Sequence, residues 1–259
     1  MRRGFTLLET LLVIGAITAM LAILSTGLRT LSSMSRATTC RANLRQLHLA
    51  TESYRGLQSA YPAAILYFAD GGALRTTAWD FDHRGDSTIE PGPVFSHLDK
   101  DHRVFQCPDY RGESTFSSDP ATGYNYNTSF IGTEGALPYV DPEGNLVEGW
   151  DACRRGRAAG SLRRTSNVAL FGDGGWSGGA NKFMRAPGNT VEFSLNTVYA
   201  GTQAFRHAYC TNVVFLDGHV ECRDHACKGE HATDELLDGI AAFPRNGFLT
   251  DDDSAYDPR

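Results

Sequence analysis

The chain begins with an apolar stretch of 20 residues, from Phe5 to Leu24, whose only charged residue is Glu9. A helix of that length spans about 30 Å, the thickness of the hydrocarbon core of a bilayer. Beyond this stretch, apolar residues recur at steps of three and four as far as Leu57, and Pro62 follows shortly after. Such spacing is typical of an amphipathic helix. We therefore predict one long helix, which crosses a membrane over residues 5–24 and is amphipathic over residues 25–57.

Residues 58–259 show no long helical period and are rich in Gly, Pro, Asp and Ser, which favours short strands joined by long loops. The expected fold class is α+β, with the long N-terminal helix packed on a C-terminal domain of antiparallel β-sheet with long loops. Strands are predicted at residues 103–106, 129–131 and 166–172, and a turn at residues 141–145.

The clearest local signal in this domain is the pair Asp217–Gly218 between two strand-like runs. Asp-Gly is typical of a type I′ turn, which joins two strands through a two-residue loop. In that register Cys210 and Cys222 point to opposite faces of the hairpin, because side chains alternate along a strand. The pattern thus disfavours a disulfide between these two cysteines.

Length, charge and the number of apolar runs exclude some classes of protein. The chain has 259 residues, a net charge of −6 and an isoelectric point of about 5.7, so no nucleic-acid partner is expected. No second long apolar run follows the first, which predicts a single membrane pass. Arg2 and Arg3 favour a cytoplasmic N-terminus, although Arg29 and Arg36 on the other flank weaken the charge asymmetry.

Six cysteines, an even number, favour disulfides in an oxidising compartment, but many pairings are open to them. No C-x-x-C pair is present, so a zinc site is not the first expectation. Cys222 and Cys227 are predicted to close a small disulfide loop. The alternative is half a metal site completed by His225 and His231.

Candidate chemistry is sparse, and no enzyme activity is predicted, since G-x-S-x-G, H-E-x-x-H and phosphate-loop motifs are absent from the sequence. His207, Asp173, Asp217 and His219 could gather at one end of a sheet as a metal site or an acid/base pair. The favoured alternative is structural, with Asp217 and Gly218 forming the turn and His207 holding its base. No cofactor is expected. Ca²⁺ stays open because Asp173, Asp217 and residues 251–253 offer oxygen ligands.

The segment from Gly4 to Glu9 resembles the processing site of type IV pilins and type II secretion pseudopilins. The resemblance implies cleavage after Gly4 by a prepilin peptidase, N-methylation of Phe5, and a role for Glu9 in assembly. Thr10, where leucine is commoner, and Thr26, where many major pilins have proline, depart from the pattern and favour a pseudopilin or minor pilin. A cleaved signal peptide fits less well, because the apolar stretch is long and no A-x-A-like site follows it.

A second resemblance rests on His207, which is followed by nine residues and then Asp217–Gly218. This H-x9-D-G pattern is similar to that of pilin-like proteins known mainly from Planctomycetes and Verrucomicrobia. Segments 40–47, 105–108 and 167–173 also resemble that group, whereas residues 60–100 do not. Because the first two segments each carry a cysteine, the resemblance implies a Cys40–Cys107 disulfide that ties the helix to the domain.

Together these resemblances imply a leader (residues 1–4), a helix (5–57) and a pilin-like β-rich domain (58–259). The expected protein is a structural subunit of a type II secretion or type IV pilus-like assembly, in the inner membrane with its domain in the periplasm or on a surface filament. Its expected partners are prepilin peptidase, other pilins or pseudopilins, the inner-membrane assembly platform and membrane lipid. The alternatives are an anchored binding protein for glycans or an exported substrate, using Trp79, Trp150 and Trp176, and a tethered hydrolase using His207 and Asp217.

Overall fold

A computed structural model gives the fold and confirms the α+β class: one long N-terminal helix is followed by antiparallel sheets. The processing site Gly4–Phe5, Trp150 and Cys153 lie outside the described part of the chain. The structure describes residues 6–70, 73–85, 87–98, 101–114, 119–132, 139–147, 156–188, 201–241 and 245–259.

Helices and strands follow one another in an irregular order, with short 3₁₀ turns between them. The helices are α1 (Leu7–Gln58) and α2 (Asp234–Leu236), and a single π turn covers Leu237–Ala241. The strands are β1 (Ile65–Asp70), β2 (Ala73–Ala78), β3 (Phe81–His83), β4 (Ile89–Pro91), β5 (Tyr124–Asn127), β6 (Tyr139–Val140), β7 (Leu146–Val147), β8 (Ala169–Gly175), β9 (Phe183–Met184), β10 (Thr202–Ala204), β11 (Thr211–Phe215), β12 (Val220–Arg223) and β13 (Asn246–Gly247).

Two of the predicted strands are wrong. Residues 102–105 form a 3₁₀ turn, because the Asp101 carboxylate accepts a hydrogen bond from the Arg103 backbone N–H and starts a turn there. Residues 129–131 lie in a turn after β5. The predicted strand at 166–172 is present but shifted, as β8, and the predicted turn at 141–145 joins β6 to β7.

Strand β8 is the centre of the larger sheet. β5 pairs along one edge, and β11 and β10 pair along the other, all antiparallel. β12 continues the sheet beyond β11, β13 continues it beyond β10, and β9 runs parallel to β5. A separate four-stranded meander, β1-β2-β3-β4, supplies aromatic side chains to the same core.

The C-terminal half of α1 lies against this sheet through the stripe expected from its apolar spacing. Cys40, Leu44, Leu47 and Ala50 are all buried and belong to the main core. The helix ends at a left-handed residue, Ser59, whose N–H bonds back to the helix. The helix therefore joins the domain through one face of its second half only.

The hairpin at Asp217–Gly218 is present, but its predicted register is wrong by one residue. Asn212 lies opposite Cys222, and the Phe215 N–H donates to the His219 carbonyl. The loop thus has three residues instead of two, with Gly218 at φ +89°. Asp-Gly also suits this type I turn with a following left-handed glycine, so the dipeptide alone does not select between the two loops.

That one-residue shift reverses the prediction for the cysteines. Cys210 is two residues from Asn212 and so shares its face, which is also the face of Cys222. The structure accordingly has a Cys210–Cys222 disulfide, with Cα atoms 5.7 Å apart. The predicted Cys222–Cys227 loop is wrong, since Cys227 is a free thiol whose backbone pairs with Phe248.

Gly218 supports a testable prediction, because a Cβ there would lie 2.9 Å from the His48 ring of α1. Gly144 has a similar φ of +85° but nothing within reach of a Cβ. Gly144→Ala should cost about 1–2 kcal/mol of stability, the cost of a left-handed L-residue, and Gly218→Ala should cost clearly more. Urea unfolding followed by circular dichroism measures both. Equal losses would show that contact with the helix adds nothing.

Candidate functional sites: a buried cluster and a projecting helix

Four side chains from distant parts of the chain meet where α1 crosses the sheet. We call Cys40, Cys107, Asp173 and His207 the buried cluster. Cys40 comes from α1, Cys107 from the loop after the 102–105 turn, Asp173 from β8, and His207 from the loop between β10 and β11. Each is at most 4% exposed, so the cluster is closed to solvent.

The ligand-type atoms of the cluster all lie within 4.8 Å of one another. Asp173 Oδ1 is the common point: it lies 3.1 Å from Cys40 Sγ, 3.7 Å from Cys107 Sγ and 3.4 Å from His207 Nε2. Cys107 Sγ lies 3.5 Å from the same His207 nitrogen. Two thiols, one imidazole and one carboxylate thus face a single point.

Asp173 is held by the strand next to its own. Its second oxygen, Oδ2, accepts the Asn212 backbone N–H at 2.7 Å and the Asn212 side-chain N–H at 3.3 Å. The same side chain donates to Cys40 Sγ at 3.4 Å. Asn212 therefore fixes the carboxylate so that Oδ1 is left for the cluster.

His207 is positioned from outside the cluster by an acid and a turn. Its Nδ1 lies 2.7 Å from Asp109 Oδ2, at an angle too bent for a hydrogen bond, and Asp109 is in turn paired with Arg36 of α1. His207 and Cys210 also exchange backbone hydrogen bonds across a tight turn. Its two central residues, Ala208 and Tyr209, have positive φ (53° and 70°), which is uncommon for residues with a Cβ. Such conformations cost energy and persist where the surrounding structure fixes them.

The four groups of the cluster shift one another's pKa values. Burial alone would raise the pKa of Asp173, but hydrogen bonds and charge attraction from His207 hold it below its usual range. Burial would lower the pKa of His207, whereas its bonds to Asp173 and Cys107 raise it to about 10. A hydrogen bond from Cys40 lowers the pKa of Cys107 to about 6, and burial raises that of Cys40 well above its ordinary value.

Cys107, His207 and Asp109 lie next to one another in the arrangement of a thiol nucleophile, its general base and an acid that orients the base. A nucleophile must be reached by its substrate, yet Cys107 is fully buried. Two cavities at the surface of the described structure are lined by other residues, including Arg164, Phe215 and Trp176. The arrangement therefore suits the holding of an enclosed ligand better than covalent catalysis.

The sequence predicted two pairs of this cluster separately, Asp173 with His207 and Cys40 with Cys107. Asp173 and His207 lie together as hypothesised, but Asp217 and His219 do not join them. Those two pair with each other, Oδ1 to Nδ1 at 2.5 Å, at the far end of the five-residue strand β11. The predicted Cys40–Cys107 disulfide is not formed: both are free thiols that lie close together. No local sequence signal predicts that the two pairs lie together, because they meet only through tertiary packing.

Other predicted ligand sets are dispersed. His225 and His231 are exposed and belong to no metal-ligand cluster within the described residues. The acids of residues 251–253 accept backbone N–H groups, such as that of Gly229 to Asp251 and that of Gly188 to Asp253. These bonds give the acids a role in turns, and Ca²⁺ binding stays a hypothesis.

Of the tryptophans suggested for ligand binding, Trp79 is 1% exposed and lies in the core, which removes it as a surface contact. Trp176 is half-buried beside a surface cavity.

The second candidate site is the N-terminal half of α1, which we call the projecting segment (residues 7–32). It is long and apolar enough to span a membrane, and none of its most apolar window is buried in the domain. Its leucines and isoleucines are largely exposed, for example Leu7 at 81% and Ile23 at 75%. By length and composition it could be a membrane anchor or a signal sequence.

The projecting segment begins with a capping box. The Thr6 backbone N–H and hydroxyl both donate to Glu9 Oε2 at 2.8 Å, and the Thr6 hydroxyl accepts the Glu9 N–H. This pattern satisfies N–H groups that a helix start leaves without partners. Glu9 therefore has a local structural role within one chain, besides any role between chains.

Comparison of the chain with protein-family models, with curated proteins and with solved structures finds no match in any of the three.

Proposed function

We propose that this protein is a pilin-like structural subunit, a pseudopilin or minor pilin, that is processed after Gly4 and assembles through helix α1. The observation that carries the proposal is the division of α1 into two halves. The projecting segment exposes its apolar side chains, whereas the second half buries one stripe against the sheet. A single helix that is lipid-compatible in one half and domain-bound in the other suits a subunit that moves from a membrane into a helical filament core.

The resemblance of Gly4–Glu9 to a prepilin processing site supports this proposal over an ordinary anchor. An anchor accounts for the length of the projecting segment, and the capping box accounts for a polar residue in its first turn, but neither predicts the whole pattern of Gly4, Phe5 and Glu9 in register with the apolar run. In a filament the carboxylate would meet the free amine of Phe5 on a neighbouring subunit. The domain, residues 58–259, would then form the outer surface.

Processing is tested by intact mass spectrometry of the protein from membranes and from sheared cell surface. We expect a chain that lacks residues 1–4 and carries one added methyl group. Gly4→Leu should leave the full-length chain in the membrane. Gly15→Leu is the matched control, because Gly15 lies in the projecting segment, a Cβ there would meet nothing within 4 Å, and the variant should be processed normally.

A mature chain that keeps Met1–Gly4, or one cut after residue 24, would contradict the proposal. The first outcome indicates a plain anchor and the second a cleaved signal sequence.

A pair of substitutions separates the capping role of Glu9 within one chain from its proposed role between subunits. Thr6→Ala removes the cap at a cost of about 0.5–2 kcal/mol of helix stability but keeps the carboxylate. We expect the Thr6→Ala protein to be recovered in the sheared surface fraction and the Glu9→Leu protein to stay in the membrane fraction. Equal behaviour of the two variants would reduce Glu9 to a capping residue.

A further inference from the structure

The geometry of the buried cluster points to a site for one divalent metal ion of the zinc class, and we propose that Cys40, Cys107, Asp173 and His207 bind it. Cysteine sulfur, imidazole nitrogen and carboxylate oxygen are the ligands that Zn²⁺ takes in proteins, and four of them complete a tetrahedral structural site. All four come from different elements, so the ion would join α1 to the sheet.

Four of the six distances within the cluster are close to those of a tetrahedron around zinc, and all six are within 4.8 Å. Bond lengths of about 2.3 Å to sulfur and about 2.0–2.1 Å to nitrogen and oxygen place sulfur about 3.6 Å from nitrogen or oxygen, and nitrogen about 3.3 Å from oxygen. The observed separations are 3.5 Å from Cys107 to His207 and 3.4 Å from His207 to Asp173. Asp173 lies 3.1 Å and 3.7 Å from the two thiols. Little movement is needed to coordinate an ion.

The surroundings of the cluster also resemble those of a built metal site. Metal-binding histidines usually present their other ring nitrogen to a carboxylate, as His207 Nδ1 is placed against Asp109. The non-ligating oxygen of Asp173 is held by Asn212, whose amide also reaches Cys40 Sγ. These partners would orient both ligands and leave Nε2, Oδ1 and the two sulfurs facing inward.

The competing arrangement is a Cys40–Cys107 disulfide. It would use up both thiols and put an apolar bridge beside Asp173 Oδ1, so that the fully buried carboxylate loses both of its thiol contacts. A buried charge without adequate partners is costly. An ion satisfies all four groups at once.

Cobalt is the probe for this site, because tetrahedral Co²⁺ with two thiolates absorbs strongly and distinctively. The full chain is first isolated in detergent without chelator, and its metal content is measured. The bound metal is then removed, the cysteines are reduced, and the metal-free protein is titrated with Co²⁺. We expect one zinc per isolated chain and one tetrahedral, two-thiolate Co²⁺ per stripped chain, displaced by Zn²⁺. Cys40→Ser and Cys107→Ser should each remove one thiolate band and weaken binding by at least about tenfold.

Cys227→Ser is the matched control, since Cys227 is a free cysteine outside the cluster, and it should leave the spectrum unchanged. Asp109→Asn tests the outer contact and should weaken binding about 10–100-fold with the two-thiolate bands retained. Zinc K-edge spectroscopy of the unmodified protein gives the ligand set without any substitution. It keeps the proposal testable if a cysteine variant fails to fold.

The proposal is overturned by weak octahedral cobalt bands, by a Cys107→Ser protein that binds Co²⁺ with unchanged affinity and spectrum, or by a Cys40–Cys107 disulfide in protein alkylated at lysis. These results do not depend on whether the chain assembles into filaments.

Discussion

Lys182→Met should lower the free energy of unfolding by about 3–5 kcal/mol, because it leaves buried carboxylates without their cation. The Lys182 ammonium is 1% exposed and lies 2.7 Å from Asp80 Oδ1 and 2.8 Å from Asp119 Oδ2. Asp119 also accepts from Ser114 and lies 2.8 Å from His83, so the three residues and Lys182 belong to one buried network. Burial already raises the pKa of Asp80 to about 6 although Lys182 is adjacent, and removal of the lysine would raise that pKa further.

Urea unfolding of the detergent-solubilised full chain measures the loss. The control is Arg84→Met, which breaks the Arg84–Glu90 pair, where both side chains are 42% exposed. An exposed pair contributes about 0–1 kcal/mol. The double variant Lys182→Met with Asp80→Asn should recover part of the loss, because one stranded charge is gone. A Lys182→Met protein as stable as the control would show that the buried network contributes no net stability.

The second large effect is expected for Trp79→Ala, at about 3–5 kcal/mol of destabilisation. The indole packs against Phe105, Tyr126 and Phe171 with ring centroids 5.1–5.8 Å apart, and its N–H donates to the Lys182 carbonyl at 3.1 Å. The substitution therefore opens a cavity at the centre of the main core and also removes a buried hydrogen bond.

Two comparisons sharpen this test. Trp79→Phe keeps most of the ring volume and should cost less than the alanine variant. Trp176→Ala removes a half-buried indole and should cost least. Unfolding curves followed by circular dichroism rank the three variants, and Trp79→Ala with the smallest loss would contradict the core position. The same ranking helps to interpret a glycan-binding assay. A Trp79→Ala protein that no longer binds glycan would have lost its fold and not a contact with the ligand.

Local patterns predicted the parts of this fold that depend on near neighbours in sequence. Apolar steps of three and four indicate α1, which ends at Gln58, one residue beyond the predicted Leu57. Asp217–Gly218 predicted a hairpin, but the loop has three residues because the dipeptide suits both turn types. A shift of one residue then reversed which face each cysteine occupies. Register is set by packing against α1 and β8, which no short window of sequence reports.

The buried cluster could be predicted only in pairs. Cys40 and Cys107 were placed together through a resemblance, and Asp173 and His207 through their expected sheet end. Their union requires α1 to cross the sheet beside β8, a contact between residues 133 positions apart. Likewise Lys182 and Asp80 are 102 positions apart, and nothing in either neighbourhood predicts a buried ion pair.

The way α1 is attached to its domain has a mechanical consequence. Three of its anchoring contacts join Arg36 to Asp109, Asn43 to the Gln106 carbonyl and His48 to the Leu216 carbonyl. They are spread over about 18 Å of helix axis, at 1.5 Å per residue. A pull along that axis loads these contacts in parallel, as in shear, so they must break together. A sideways pull at the projecting segment instead opens them one by one, starting at Arg36. The domain is thus strongest against traction in the direction in which a helix would be drawn out of a membrane.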